Sequence, residues 1–423
     1  MKHRKSTFCM AIGRKELAIA ILIFTIILML ATVPLKAPST SSMTLGVNYL
    51  SSGNAYDDTT NSILTRDFTL FKNNNVTDIT IRLVWSAIEG STRGSYDTRM
   101  IGNVKRALGV AGGLGLRVHI SLWTHFQEYA TWSVPDYVTD PFTGKHITLA
   151  IVRSSTMRRA WLDMVSWVVR QIQSYPAIAS WQILNEPMYD SSFTAVDQKA
   201  NFQTLWGDAA QLIESLDASQ RPCTVRFAID DSPWSGDFDL SSLKSLDYVG
   251  INVYVDPNDF GRLQWGTWNM VYRAVNDTHA RGKEIWFTEF GAWSSNAATQ
   301  ERAYAYTLDV AIARGVDGAF AWAWQSINSI DEPYNICLNT SGSAAPAFYE
   351  LASRGIPTGV PSVLQGDVNC DARVDIYDAV ILVGLYNSVP TSMNWNANAD
   401  INGDNIVDVY DAMLLASNYG NTA

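Results

Sequence analysis

Cysteine is scarce in this chain. It occurs four times in 423 residues, at Cys9, Cys223, Cys337 and Cys370, and so scattered it makes no disulfide framework. A pairing of Cys337 with Cys223 stays open. Basic charge is also short: 31 Lys and Arg stand against 41 Asp and Glu, for a net charge of −10. With no basic stripe, nucleic acid is excluded as a partner. Residues 366–423 hold no Lys, no Glu and one Arg, yet eight Asp, an imbalance that suggests cation binding. Long apolar runs are missing, with one exception. Residues 17–33 are free of charge and follow Lys2, Arg4, Lys5, Arg14 and Lys15. That run is long for a signal core and at the lower limit for a membrane span. Export is expected, by cleavage near Ala31 or Ala37 or by retention as a membrane anchor, giving a secreted or cell-surface protein.

What the chain has is core. Hydrophobic residues make up 47% of it, and from 43 to 355 strand-like runs alternate with helix-like ones. Strands are expected at 45–49, 79–85, 117–123, 178–185, 225–229, 248–254, 284–290 and 318–324. Parallel strands buried on both faces read as continuous apolar runs, and eight alternating with helices fit a (β/α)8 barrel, an α/β fold. Helices are expected at 156–174, with Trp161, Met164, Val165, Val168 and Val169 on one face, and at 197–216. The stretch 124–155, after the third strand, reads as a long functional loop. Residues 1–42 form leader and tether, and 356–365 a Pro/Gly-punctuated linker to a small module at 366–423.

Two glutamates carry the chemistry. Glu186, in Asn185-Glu186-Pro187, closes the run 177–184, and Glu289 closes 285–288. Each therefore stands at the C-terminal end of a barrel strand, the end where such barrels place their active sites. One such Glu alone is most often a solvated loop residue. Two together supply what glycosidic bond cleavage needs, one carboxyl as proton donor and one carboxylate as nucleophile, about 5–5.5 Å apart in a retaining enzyme.

The acidic end holds an internal duplication. Asp367, Asn369, Asp371, Asp375 and Asp378 recur as Asp400, Asn402, Asp404, Asp408 and Asp411, in units ending Tyr377-Asp378 and Tyr410-Asp411. Oxygen donors at positions 1, 3, 5, 9 and 12 are the spacing that wraps a loop around Ca²⁺. Two calcium ions are expected, each loop leading into a short helix, and no cofactor for catalysis.

At this point resemblances can be named. Residues 43–355 resemble a glycoside hydrolase of family 5, in the retaining (β/α)8 clan with many cellulases. The resemblance is carried by Gly46-Val47-Asn48-Tyr49, Ile81-Arg82-Leu83, Leu184-Asn185-Glu186-Pro187, Asn252-Val253-Tyr254, Thr288-Glu289-Phe290-Gly291 and Ala321-Trp322-Ala323-Trp324. Residues 366–419 resemble a type I dockerin, a small all-α module that plugs enzymes into a cohesin-bearing scaffold; Asp378 and Asp411 at position 12 favour it over an ordinary EF-hand. The resemblance implies Glu186 as general acid and Glu289 as nucleophile. It implies Arg82 and Tyr254 as hydrogen-bond donors to Glu289, Asn185 on the sugar 2-hydroxyl, and Trp324 as floor of the distorted sugar's subsite. Trp123 and Asn252 stand where many members carry His and join the substrate-contacting set, leaving the sugar preference open. Ala372 and Asn405 replace the dockerin's usual Gly at loop position 6, which makes the first loop the weaker.

His119 reads as a core residue. Fifteen Trp suit stacking on pyranose rings, with Trp85, Trp123, Trp132, Trp234, Trp293 and Trp324 as candidates. The expected substrate is a β-1,4-linked polysaccharide, a cellulose-like glucan first and β-mannan as the alternative. A carbohydrate-binding barrel without turnover, and a scaffold adaptor, are the readings from other classes.

Overall fold

The computed structural model describes residues 43–49, 61–123, 133–187, 196–236, 240–324, 332–337, 342–354, 365–366, 368, 374–389, 392, 399–402, 404 and 406–421. The leader with its apolar run 17–33, the loop stretch 124–132 with Trp132, the linker 356–364, and Asp367, Asn369, Cys370, Asp371, Ala372 and Asn405 lie outside them. Among the described residues no helix is long and apolar enough to cross a membrane. The chain divides into a unit Ser42–Thr358 and a separate unit holding Gly359–Ala423.

The larger unit is the expected barrel. Its strands are β1 (Thr44–Tyr49), β2 (Asp78–Val84), β3 (Arg117–Trp123), β4 (Ile178–Asn185), β5 (Cys223–Ala228), β6 (Val249–Asp256), β7 (Asp259–Leu263), β8 (Ile285–Ala292) and β9 (Gly318–Ala321). All but β7 are parallel in the order β5-β4-β3-β2-β1-β9-β8-β6, and β5 pairs β6 to close the ring. The departure is β7, which folds back antiparallel on β6. It is short, charged and mostly exposed, so it shows none of the apolar continuity that marks the buried strands.

Helices between the strands follow their end signals. Asp97 caps Thr98–Leu114 by accepting from the Arg99 and Met100 amides, and Gly115 ends it at φ 71°, a left-handed position natural to glycine. The expected helices 156–174 and 197–216 are Ser155–Ile172 and Val196–Leu216. The loop expected over 124–155 carries a short helix of its own, Leu149–Arg153.

Tyr248, Trp286 and Phe320 pack as a cluster of their own. A methyl group on Gly46 would stand 2.2 Å from the Phe320 ring, so glycine is what lets β1 pass it. His119 packs edge-on to Trp286 and Phe320 and bonds Asp78 Oδ1 at 2.8 Å and Ser180 Oγ at 2.7 Å. It is a satisfied core residue, as expected. Cys223 and Cys337 are both buried and not bonded to each other, so the open pairing is not made.

The smaller unit has helices Ile376–Gly384 and Val409–Ser417. They close on a core of Val368, Val374, Leu382, Ala399, Ile401, Val407 and Leu415.

Candidate active site

Glu186 is the first residue past β4. Its φ of 45° is left-handed, a conformation costing a non-glycine residue about 1–3 kcal/mol and found mainly at functional sites. Its amide donates to the Arg226 carbonyl at 2.7 Å, which holds the turn. The side chain is 8% exposed, and Oε1 accepts from Asn252 Nδ2 at 2.8 Å. On its other side the Asn252 amide accepts at Oδ1 from the Thr288 hydroxyl at 2.9 Å. Burial, and next the charge of Glu289, push the Glu186 carboxyl up to about 8; burial and a like charge both disfavour its ionised form.

Glu289, near the end of β8, is 3% exposed and differently clothed. Arg226 Nη2 donates to its Oε1 and the Tyr254 hydroxyl to its Oε2. Burial first, then the charges of Glu289 and Glu186, hold the Tyr254 phenol well above its usual range, so it stays a donor. The two carboxyls, close enough for the charge of one to act on the other, thus have unlike partners: a neutral amide on one, a guanidinium and a phenol on the other. Asn185 is fully buried next to Glu186 in the chain, and its Nδ2 has no partner among the described residues.

The structure adds to one expected role and moves another. Arg226 on β5 sets a guanidinium on Glu289, the part expected of Arg82 on β2, which is half-buried and registered opposite Ser121. Trp324 is not at the barrel mouth. It is fully buried, edge-on to Phe71 at 4.8 Å and near Phe348 at 5.4 Å, with its indole N–H on Asp67 at 3.1 Å. The reason is that β9 stops at Ala321, so Trp322 is the aromatic that reaches Tyr254, in a cluster with Val84, Ala323 and Tyr334. Trp324→Ala is therefore expected to cost about 3–5 kcal/mol of stability by denaturant unfolding. A loss under about 1 kcal/mol would contradict this placement.

Other aromatics sort similarly. Trp85 and Trp234 are buried, their indoles bonded to Glu89 and Asp277. Trp293, just past β8, is 53% exposed. Trp123 ends β3 opposite Val84. Trp265, which the sequence reading passed over, follows the β6–β7 hairpin and stands edge-on to Tyr254 at 5.4 Å.

In the smaller unit both repeats close alike. Asp378 accepts from the amides of Val368 and Asp375, and Asp411 from those of Asn402 and Asp408, all at 2.8–2.9 Å. Asn402 Nδ2 reaches Asp404 at 2.9 Å, and the Asp404 amide reaches Asp400 at 3.0 Å. Among the described residues no three acidic, His or Cys side chains form a ready metal cluster. Burial, with the charge of Asp404 adding to it, raises the Asp411 carboxyl above its usual range. Acids crowded in this way, all oxygen donors, suit a hard cation.

Residues 365–418 match the type I dockerin domain. The chain ends in a type I dockerin. Ahead of it, 194 residues are 26% identical to a probable mannan endo-1,4-beta-mannosidase F of Emericella nidulans, over 43% of this chain and 42% of that one. The match thus spans less than half of that relative. The fold is similar to a GH5_18 protein from Bifidobacterium longum subsp. infantis, at 13% identity over 74% of this chain and 78% of that one (TM-score 0.58). It is also similar to the endo-1,4-beta-mannanase of Rhizomucor miehei, at 13% identity over 75% and 96% (TM-score 0.57). A third likeness is to the exo-beta-1,4-mannosidase Op5Man5 of Opitutaceae bacterium strain TAV5, at 16% identity over 74% and 59% (TM-score 0.59). The dockerin therefore follows a barrel that shares its fold with these proteins.

Proposed function

We propose that the barrel is a retaining β-glycanase acting on β-1,4-linked mannan, held outside the cell on a cohesin-bearing scaffold by its dockerin. The observation that carries the reading is the unlike pair. Glu186, pushed up to about 8, keeps its proton at neutral pH and can give it to the glycosidic oxygen. Glu289, clasped by Arg226 and Tyr254, attacks the anomeric carbon as the leaving sugar departs. Glu186, now ionised, then takes a proton from water, whose oxygen displaces Glu289 and regenerates both groups. Asn185 Nδ2, without a partner among the described residues, supports a hydrogen bond to the sugar 2-hydroxyl. Trp322 takes the place first given to Trp324 as the aromatic beside the reacting sugar.

Mannan is preferred to the cellulose-like glucan because three of the four proteins named above are named as mannanases or mannosidases; the pair itself serves either. Reducing-sugar release across β-mannan, soluble cellulose, xylan and mixed-linkage glucan tests the choice. Highest activity on mannan is expected, and highest activity on cellulose would return the glucan reading. The dockerin and the basic, apolar leader support export. On the module's surface Ile376, Val380, Val409 and Tyr410 are exposed, an apolar face suited to a cohesin.

The pH behaviour follows from Glu186. A general acid is lost on ionisation, so activity should decline as pH rises through about 8. Stability has the same sign. Between the ordinary carboxyl value of 4.5 and about 8 the folded state binds a proton that the unfolded state has released, so stability falls as pH rises through that window. Glu186→Gln should remove this slope from thermal melts taken across the window. An unchanged slope would mean the carboxyl is not the group responsible.

A further inference from the structure

Strand β7 adds little to the core, since within Asp259–Leu263 only Leu263 is buried. What it does is carry the chain back across the barrel mouth after pairing Leu263 with Val255 of β6. The return is fixed at two points. Gln264 donates its amide to the Tyr254 carbonyl at 2.7 Å, and its Oε1 accepts from the Tyr334 hydroxyl at 3.1 Å. Gly266 then turns at φ 74°, where a methyl group would stand 2.9 Å from Ile229 Cγ2 and 3.4 Å from the Asp230 amide nitrogen. The turn is thus pressed onto Ile229–Asp231, the segment that follows β5. Between these two points stands Trp265, half-buried and edge-on to Tyr254 at 5.4 Å. Tyr254 in turn donates to Glu289, so the indole lies one aromatic ring away from that carboxylate.

The order of strands around the barrel says which sugar this indole meets. Glu186 follows β4, Ile229–Asp231 follows β5, the hairpin follows β6, Glu289 is on β8 and Trp322 follows β9. Trp265 is therefore on the arc between the two carboxylates, and Trp322 is beyond Glu289. Asp230, against which Gly266 packs, is close enough for its charge to act on Glu186, which puts the hairpin's exit on the acid's side. In a retaining cleavage the nucleophile attacks the reacting sugar, while the acid protonates the oxygen that departs with the leaving sugar. The leaving sugar thus lies toward Glu186. A half-open indole there offers a flat apolar surface, and the C–H face of a pyranose ring fits it.

We propose that Trp265 is a specificity-determining residue, the platform on which the leaving sugar rests, so that the enzyme selects chains that continue beyond the bond it cuts. This rests on the retaining-glycosidase reading above. A tryptophan that only braced Tyr254 would affect every substrate alike, because each is attacked by the same Glu289.

The test uses two substrates that deliver the same mannobiosyl half and differ in what leaves. β-1,4-Mannotetraose releases a sugar, and an aryl β-mannobioside releases a phenol. Trp265→Ala, in the full chain, should lower the ratio of kcat/KM on the first to kcat/KM on the second about tenfold. Trp265→Phe, which keeps a flat ring, should return most of that ratio. If the alanine variant does not fold, Trp265→Leu decides by the same ratio, since it keeps apolar bulk beside Tyr254 without a flat face. An unchanged ratio in the folded alanine or leucine variant, even with both values lowered, overturns the proposal and leaves the glycosidase reading standing. Failure of that reading looks different: the wild-type protein would release neither sugar nor phenol, and the leaving-sugar platform would fall with it.

Discussion

Glu289→Gln should abolish turnover, by on the order of 10⁴-fold or more, while leaving mannan binding nearly intact. The amide keeps the shape of the side chain and can still accept from Arg226 through its oxygen, so the barrel mouth is preserved. What it loses is the anionic oxygen that forms the glycosyl-enzyme bond, and with it the first chemical step. Because Glu186 is untouched, the loss should be as great on substrates with a good leaving group as on polysaccharide. Glu186→Gln makes the contrast. An activated phenol departs without a proton, so that variant should keep much of its first step on aryl glycosides while losing polysaccharide hydrolysis. Titration calorimetry with a soluble manno-oligosaccharide would show the retained binding, and steady-state assays the lost turnover. A Glu289→Gln enzyme within tenfold of wild type would remove Glu289 as nucleophile and the retaining mechanism with it.

The strands bearing the pair were legible because burial on both faces leaves a local signature. Continuous apolar runs ending in Asn185-Glu186-Pro187 and in Thr288-Glu289 are visible without knowing what they pair with. The duplicated loops were legible for a similar reason, since ligand spacing is set within twelve residues. What was not legible depends on partners far away in sequence. Arg226 lies 63 positions from Glu289, and within Val225-Arg226-Phe227 nothing local says that a charge faces the barrel interior. Trp322 and Trp324 are alike in sequence, and the choice between them turns on β9 ending at Ala321, a matter of register with β8 and β1. The β6–β7 hairpin that brings Trp265 to Tyr254 rests on an exposed strand with no apolar run to announce it. Motif spacing found the two candidate carboxylates; the groups bonded to them needed the closed barrel.

Removal of calcium should unfold the C-terminal module and leave the barrel standing. The second loop brings Asp400, Asp404, Asp408 and Asp411 into twelve residues with Asn402, and Asp411 is fully buried at the start of its helix. Its carboxyl is raised above the ordinary range by burial, with Asp404 adding repulsion. A divalent cation reverses both effects, neutralising the acids and replacing the water they lost. The first loop, through Asp375 and the buried Asp378, would hold its ion in the same way, joined by Asp367, Asn369 and Asp371. Among the described residues the apolar core behind the loops is seven buried side chains, and a unit of this size buries too little surface to fold securely without a metal or other staple. The barrel has no such dependence, since its packing is continuous around the eight-stranded ring. Amide hydrogen exchange on the full chain, with calcium and then with chelator, reads both parts at once. Protection in Ile376–Gly384 and Val409–Ser417 should collapse on chelation, cohesin capture should be lost, and protection in β1–β9 and mannan hydrolysis should stay. Equal protection of those two helices with and without chelator would show that the loops close on their own amides and need no ion.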